Sequence, residues 1–368
     1  MITPKKILFL GLILSFFLPI LIDAQGYYNR YEYRRKRHEI NFGGGATNCL
    51  TDLGGADVIG SGFLWDLDIA KTSYVGQFSY VYWVASKFAF RGNLAYSKLS
   101  GDDAQTQEYF RNNRQLNFET NLVEGSIMCE VVLRNVRTGN RYNLKTPAGK
   151  FIGAKNPMGI GFYLLAGIGG IYYQPWGRDN FSYDGAPTQG IKYQLNPLNT
   201  EGQGMPDPKT GEIIPDYNGI AICIPMGFGI KKAFNGNGGI KLEAAFRFTN
   251  TDYIDDVSTN YFDYGAPNSS NSARMSGTRS GATYTYIGYA DNTAADPWPL
   301  GAQPFPSQGP RAYILDRYHT APGEQRGNPE NDDSYMYLTL SAYKKFNNMA
   351  KSYRTINMHQ KRKIKASF

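Results

Sequence analysis

Apolar and polar residues alternate strictly in several stretches of the chain, most clearly over residues 239–249. One face of this stretch is wholly apolar and consists of Ile240, Leu242, Ala244, Phe246 and Phe248. The opposite face carries Lys241, Glu243 and Arg247. Because successive side chains of a β-strand point to opposite faces, this pattern predicts a strand with one apolar and one charged face.

The same alternation recurs along the chain and predicts further strands of similar length. The eight predicted strands are 39–47, 72–83, 86–98, 116–133, 158–173, 219–232, 239–249 and 334–346. Most of them have roughly the 9–11 residues that a tilted membrane strand needs. Pro225 lies inside the sixth strand and has no backbone N–H to donate, so we expect a β-bulge at that position.

The first residues have the pattern of an export signal. Lys5 and Lys6 precede an apolar run over residues 7–22, and Asp23-Ala24-Gln25 follows it. This arrangement predicts cleavage after Ala24, so residues 1–24 are interpreted as a signal peptide. The alternative is a retained membrane helix, but the run is barely long enough to span a bilayer.

Behind an export signal, strands with one apolar and one charged face favour a barrel with its apolar side toward lipid. In a soluble sandwich, by contrast, the charged face would meet water. The sequence therefore predicts an all-β fold: an eight-stranded antiparallel transmembrane barrel of the outer membrane with long extracellular loops. Residues 25–38 would form a basic periplasmic segment, 39–346 the barrel, and 347–368 a basic periplasmic tail.

The inward positions of the predicted strands collect charges of both signs. These predicted interior charges are Glu39, Arg91, Glu124, Glu130, Lys241, Glu243 and Arg247. Buried charges require partners, so we expect an interior filled with ion pairs. Since eight strands leave room only for side chains, we expect no open pore.

The links between predicted strands alternate in length, as in outer-membrane barrels whose termini are both periplasmic. The long links, expected to be extracellular and loop-like, are 48–71, 99–115, 174–218 and 250–333. The links 84–85 and 233–237 are short. The link 134–157 is the exception, because it is long and basic on the side where a short turn is expected.

The formal net charge is +8, and the basic residues concentrate at the two ends of the chain. The candidates for periplasmic docking are Arg34, Arg35, Lys36, Arg37, Arg362 and Lys363. Basic tails commonly bind nucleic acid, but an exported protein rarely meets it, so no nucleic-acid partner is expected. Cys129 falls on an outward face and Cys223 on an inward face, so we expect that they do not pair.

Few residues suggest catalysis, a metal or a cofactor. Asp252, Asp255 and Asp256 are weak candidates for a calcium site, since carboxylates are hard ligands. The alternative is that they close a turn through side-chain to backbone hydrogen bonds. His38 and His319 lack the surroundings of a catalytic base, so neither an enzyme nor a cofactor is expected.

Several motifs are spread over nearly the whole mature chain: Gly43-Gly44-Gly45-Ala46-Thr47-Asn48 with Asp52-Leu53-Gly54-Gly55, Arg91-Gly92-Asn93-Leu94 with Ser97 and Ser100-Gly101-Asp102-Asp103, Leu198 with Thr200-Glu201-Gly202-Gln203-Gly204, Ile224-Pro225-Met226-Gly227-Phe228-Gly229, and Thr251-Asp252-Tyr253-Ile254-Asp255-Asp256-Val257-Ser258. In their order and spacing, these motifs resemble those of the PorG-like outer-membrane barrel family of the type IX secretion system. Cys49 and Thr51 depart from the family pattern, where Tyr and Gly are expected.

The resemblance implies a non-enzymatic role in protein secretion, and in some bacteria in gliding motility. It implies contact with a periplasmic ring of PorK-like and PorN-like proteins. Outer-membrane lipid and the barrel-assembly machinery are the other expected partners, the latter because the last strand ends in Phe346. The alternative is a small barrel resembling OmpA or OmpX, whose extracellular loops bind a ligand or a surface.

Overall fold

The fold is taken from a computed structural model of the 368-residue chain. It describes residues 36–53, 71–103, 114–134, 136, 159–179, 190–206, 211–234, 237–265, 270–278, 285–291, 293, 303–304, 310–316, 320–329 and 331–346. The predicted signal peptide, the predicted tail and most of the basic link 134–157 lie outside these residues. So do Arg34, Arg35, Arg362 and Lys363.

Eight antiparallel strands form a closed ring. The barrel strands are β1 (His38–Leu50), β2 (Ser73–Trp83), β3 (Phe88–Asp102), β4 (Asn117–Arg134), β5 (Ile160–Arg178), β7 (Ile220–Ala233), β8 (Gly238–Thr249) and β12 (Ser334–Phe346). Each strand pairs with the next one in this order. The first and last strands also pair, with His38 opposite Phe346, which closes the ring. The predicted eight-stranded barrel is therefore confirmed.

The outside of the barrel is apolar through its middle. Phe42 is 72% exposed, Ile127 67% and Ile168 60%, although each lies in the middle of a strand. Along β4, every outward position from Val123 to Leu133 is uncharged. Such exposure would be unfavourable in water, whereas a continuous apolar band is the surface that lipid requires. The exterior is that of a membrane-spanning barrel.

The strands differ from the sequence-based prediction at their ends. β3 continues to Asp102 because it remains paired with β4, and β5 continues to Arg178 because it pairs with β4 as far as Trp176 and then with residues 192–194 of the following link. The bulge expected at Pro225 is wrong, since the pairing of β7 with β5 and β8 keeps one register on either side of it. The register shift that is seen lies instead between Val132 and Arg134.

The long links carry structure of their own, contrary to the prediction of plain loops. They contain β6 (Lys192–Gln194), a 3₁₀ helix (Asn196–Leu198), α1 (Asn271–Ser276), β9 (Thr285–Tyr289), β10 (Gln303–Pro304) and β11 (Ala312–Asp316). β6 adds to the edge of β5, while β9, β10 and β11 form a separate sheet. Within the part of the chain that the structure describes, no helix is long and apolar enough to cross a membrane.

The two ends of the barrel differ in construction. One end, here called the short-turn end, holds the start of β1, the end of β12, the turn 84–87 and the short connection between β7 and β8. The other end, here called the capped end, is closed by the long links. Ile254 and Val257 from the last of these links pack into one hydrophobic cluster with Leu99 and Leu122 of the barrel.

The cysteines follow the prediction from strand parity. Cys223 is fully buried on the inside of β7, and Cys129 is only partly buried on the outside of β4. All three cysteines of the chain are free thiols. The expectation that Cys129 and Cys223 do not pair is confirmed.

Candidate functional site

The barrel interior contains a network of charged side chains, here called the interior network. Its members are Glu39, Arg91, Glu124, Glu130, Lys231, Lys241, Glu243 and Arg247, all at most 7% exposed. They come from five of the eight strands, because the inward positions of the strands meet at the barrel axis. The four carboxylates and four cations balance in charge.

Most of the network lies toward the short-turn end. Arg91 donates to Glu130 at 2.6 Å and to both oxygens of Glu243, at 2.6 and 2.8 Å. Lys241 bridges Glu39 at 2.7 Å and Glu130 at 3.1 Å. Every member of this chain of ion pairs therefore contacts an opposite charge, which is the condition for keeping charges out of water.

A smaller group lies nearer the capped end. Arg247 Nε donates to Glu124 at 3.1 Å, and the Tyr335 hydroxyl donates to the same carboxylate oxygen at 3.1 Å. The Arg247 guanidinium also lies 3.8 Å from the centre of the Tyr337 ring. Such stacking supports a buried guanidinium while its hydrogen bonds go to the carboxylate.

Because Gly229 has no side chain, it leaves room for a hydrogen bond between Tyr163 and Glu243 in the network. Tyr163 on β5 donates a hydrogen bond to Glu243 across the barrel. Its ring passes over Gly229, where a Cβ would come within 2.2 Å of the ring. Gly229 is therefore required by packing, and its small size lets a tyrosine fill the centre of the barrel. The result is a filled interior of the kind expected for eight strands.

The structure brings together all seven interior charges named from the sequence and adds Lys231. Lys231 donates to Glu39 at 2.7 Å and lies 3.9 Å from the centre of the Tyr343 ring. It lies two residues beyond Gly229 on β7, so its side chain points to the inside of the barrel as the Gly229 position does. Continuing the predicted alternation by two residues would have identified it.

The capped end is closed by a second set of buried charges, here called the outer cap. Its central ion pair joins Arg326 to Glu201 at 2.7 Å. Glu201 also accepts hydrogen bonds from the backbone N–H groups of Ser258 and Thr259, at 2.9 and 3.0 Å. These contacts tie together links that are far apart in sequence, so the cap is a folded unit.

Arg114 attaches the cap to the first two long links. Its Nε forms an ion pair with Asp103, and its other nitrogens donate to the carbonyls of Arg326 and Asp52, at 2.6 and 2.7 Å. The Thr120 hydroxyl of β4 donates to the carbonyl of Ile254 at 2.6 Å. The cap is therefore fixed to the barrel by hydrogen bonds as well as by apolar packing.

The three weak calcium candidates, Asp252, Asp255 and Asp256, lie in the cap, and two of them accept hydrogen bonds from other protein groups. Asp255 accepts from the N–H groups of Leu53 and Val257, at 2.8 and 2.9 Å, and the second of these bonds closes a local turn. Asp256 accepts from the hydroxyls of Thr200 and Tyr217. Neither oxygen of Asp252 has a hydrogen-bond partner in the described part of the chain. Among those residues, no group of three His, Cys, Asp or Glu side chains is arranged to hold a metal ion.

Burial, together with an excess of carboxylates over cations, raises the pKa values of several aspartates in the cap. Burial raises the pKa of Asp252 to about 8 and that of Asp256 to about 6. Burial and the nearby Asp52 carboxylate raise the pKa of Asp255 well above its usual value. Burial and Asp255 do the same for Asp333. The folded cap therefore binds protons that an unfolded chain releases near pH 4.

This proton binding predicts that the cap loosens as the pH rises. Between the pKa of an unfolded aspartate, roughly 4, and the folded value of about 8 for Asp252, the folded state holds more protons, so its stability falls with increasing pH. We expect Asp252→Asn to stabilise the cap at pH 9 by about 1–3 kcal/mol and to flatten its pH dependence.

Hydrogen exchange of residues 251–265 at pH 6 and pH 9, corrected for the intrinsic rates, measures this effect. Asp216→Asn is the matched control, because Asp216 is exposed on a long link. Equal changes in the two variants, or a cap that tightens at high pH, would contradict the prediction.

The short-turn end carries an excess of basic residues, here called the basic rim. Its members are Lys36, Arg37, Lys87, Arg134, Lys232, Lys344 and Lys345. The acidic residues described near this end, Glu39, Glu130 and Glu243, are all buried inside the barrel. The candidates Lys36 and Arg37 thus belong to a larger basic surface. Strand pairing places Arg134 opposite Phe162 and Lys232 opposite Ile160, so both flank β5.

Comparisons with known proteins give weak similarities of fold and no family. No protein-family profile matches the chain, and no curated protein matches it. One similar structure is that of the attachment invasion locus protein Ail of Yersinia pestis in complex with the heparin analogue sucrose octasulfate. Its sequence identity to this chain is 8% and the TM-score is 0.31, and the alignment covers 85% of this chain and 99% of the Ail chain. Neisserial surface protein A has 7% identity and a TM-score of 0.30, covering 84% and 97%. Because these scores are low, the barrel assignment depends on the closed ring of paired strands.

Proposed function

We propose that the protein is a non-enzymatic outer-membrane component of a type IX secretion machinery, anchoring or contacting its periplasmic ring. The filled interior supports an anchor over a channel, because ion pairs and aromatic rings occupy the space that a transported solute would need. The motif resemblance to PorG-like barrels supports the choice of machinery. In this proposal both chain termini are periplasmic, and the apolar exterior is embedded in the outer membrane.

The observation that carries the proposal is the basic rim. Its cations lie at the end where β1 begins and β12 ends, and the predicted basic tail follows β12 in the sequence. A surface of one sign steers a partner of the opposite sign and fixes its orientation. An acidic face on a PorK-like or PorN-like ring is the partner that this surface fits.

Charge reversal at the basic rim tests the proposal. We expect Lys87→Glu/Lys232→Glu/Lys344→Glu, or deletion of residues 347–368, to reduce recovery of the ring proteins in a mild-detergent pull-down by about tenfold. Secretion by the bacterium should fall in parallel. The control is Lys98→Glu/Lys192→Glu, a charge reversal at the capped end. Unchanged ring recovery and secretion in both rim variants would show that the rim has no docking role.

The alternative function is a barrel whose extracellular loops bind a ligand or a surface. The observation that favours it is a set of exposed apolar side chains on the long links, which includes Ile191, Met205, Ile213 and Tyr289. The rigid cap would hold these side chains in place. Replacement of Met205 and Ile213 by serine tests this alternative. Lost attachment to surfaces with normal ring recovery would favour the loops over the rim.

A further inference from the structure

Three cations surround one carboxylate on the outside of the barrel near the capped end. Glu119 on β4 lies 2.5 Å from Lys192 Nζ, 2.9 Å from Lys98 Nζ and 3.8 Å from Arg178 Nη2. All four side chains remain between 24% and 52% exposed. We call these four residues the outer cationic cluster. Its formal charge is +2, so one carboxylate gathers the cations without neutralising them.

The cluster lies directly beyond the edge of the apolar band. Tyr96, Val123 and Tyr172 lie side by side on β3, β4 and β5 and are the last exposed apolar residues at this end of the three strands. Lys98 lies two residues farther along β3 than Tyr96, which corresponds to about 7 Å along the strand. Aromatic residues mark the membrane interface in barrels, so the cluster lies at the depth of lipid headgroups.

β6 completes the cluster and has no role in closing the barrel. It pairs Lys192 with Arg178 and Gln194 with Trp176 at the outer edge of β5. Lys192 Nζ also lies 5.7 Å from the centre of the Trp176 ring. The neighbouring pair of Lys71 and Asp102, at 3.2 Å, is neutral and leaves the net charge of the cluster unchanged.

We propose that the outer cationic cluster binds the phosphate group of a phosphorylated glycolipid in the outer leaflet. Lys98, Arg178 and Lys192 would donate charge-assisted hydrogen bonds to the phosphate oxygens. The acyl chains would run along Tyr96, Val123 and Tyr172 toward the middle of the band. Continuity between the cations and the apolar band favours a lipid over an acidic protein, whose binding would need no apolar surface below the charges.

The proposal depends on the barrel lying in an outer membrane but not on any role in secretion. The probe is a bisphosphorylated lipid A-type glycolipid, added to the purified full-length protein in a neutral detergent, with binding measured by microscale thermophoresis. The dephosphorylated glycolipid and inorganic phosphate are the comparison ligands. The test variant is Lys98→Gln/Arg178→Gln/Lys192→Gln. The matched control is Lys87→Gln/Lys232→Gln/Lys344→Gln, which removes the same charge at the opposite end.

We expect the test variant to lose at least about tenfold in affinity for the phosphorylated glycolipid and the control to stay within about twofold. Glu119→Gln should bind more tightly than the unchanged protein, because the cluster gains a net positive charge; a cluster that only holds β6 in place would not respond in this way. Equal loss in both triple variants, equal binding of the dephosphorylated glycolipid, or equally tight binding of inorganic phosphate would overturn the proposal. Displacement of the bound glycolipid by an acidic peptide would also overturn the proposal, because such a peptide has no acyl chains to place on the apolar band. Heat-modified mobility in gels verifies that each variant is folded.

Discussion

Replacement of Arg91 by methionine is expected to destabilise the barrel by about 3–5 kcal/mol. Arg91 is 1% exposed and forms ion pairs with both Glu130 and Glu243. Methionine has a similar length but leaves two carboxylates buried together without their main cation. Breaking a buried pair in this way leaves uncompensated charge in a medium that solvates it poorly. Urea unfolding in lipid vesicles, followed by tryptophan fluorescence, measures the free-energy change.

Two further variants separate the loss of charge from the loss of packing. Arg178→Met makes the same substitution at a side chain that is 52% exposed, and we expect a change within about 0.5 kcal/mol. Glu130→Gln/Glu243→Gln in the Arg91→Met background should recover part of the lost stability, because it removes the unpaired charges. A small effect of Arg91→Met alone would mean that the interior is hydrated and the network is not sealed.

Replacement of Ile127 by arginine is expected to cost about 2–4 kcal/mol, because it places a charge on the lipid face near mid-depth. Ile127 is 67% exposed and lies between Val123 and Val131 on the same outward face of β4. In water, an arginine at so exposed a position would be harmless. Reversible unfolding from lipid vesicles distinguishes the two environments directly.

Ile213→Arg is the matched control for this substitution. Ile213 is 71% exposed, about as much as Ile127, but it lies on a long link outside the barrel strands. We expect a change within about 0.5 kcal/mol, as for an ordinary surface site. Similar values for the two arginine variants would mean that the apolar band does not face lipid.

The barrel strands could be predicted from the sequence because lipid and a filled interior impose period-two alternation on every strand. β8 is the clearest case: its inward charges and outward apolar residues follow the pattern from Ile240 to Thr249. The residues of the interior network could be predicted from the same alternation. Lys231 was missed only because the alternation was not followed to the end of β7. The β-bulge expected at Pro225 was wrong. A proline in a strand leaves one inter-strand hydrogen bond unmade, and β7 accommodates this without a change of register.

The outer cap could not be predicted because its contacts follow no period. Arg326 and Glu201 are 125 residues apart, and neither lies in a stretch with alternating polarity. The outer cationic cluster escaped prediction for a related reason. Glu119 and Lys98 lie on long strands, but Lys192 belongs to a three-residue strand whose position is fixed only by pairing with β5. Sequence patterns record the environment of a strand, whereas these sites depend on which distant segments meet.

The most direct test of the account concerns the apolar exterior of the closed ring. The purified protein is transferred from detergent into plain buffer, and sedimentation velocity and circular dichroism are recorded together. We predict that the protein aggregates, because the band around Phe42, Ile127 and Ile168 loses its amphiphile. Return to detergent should restore a single species rich in β-structure. A folded, monodisperse monomer in plain buffer would contradict the membrane-spanning barrel and both roles proposed for its ends.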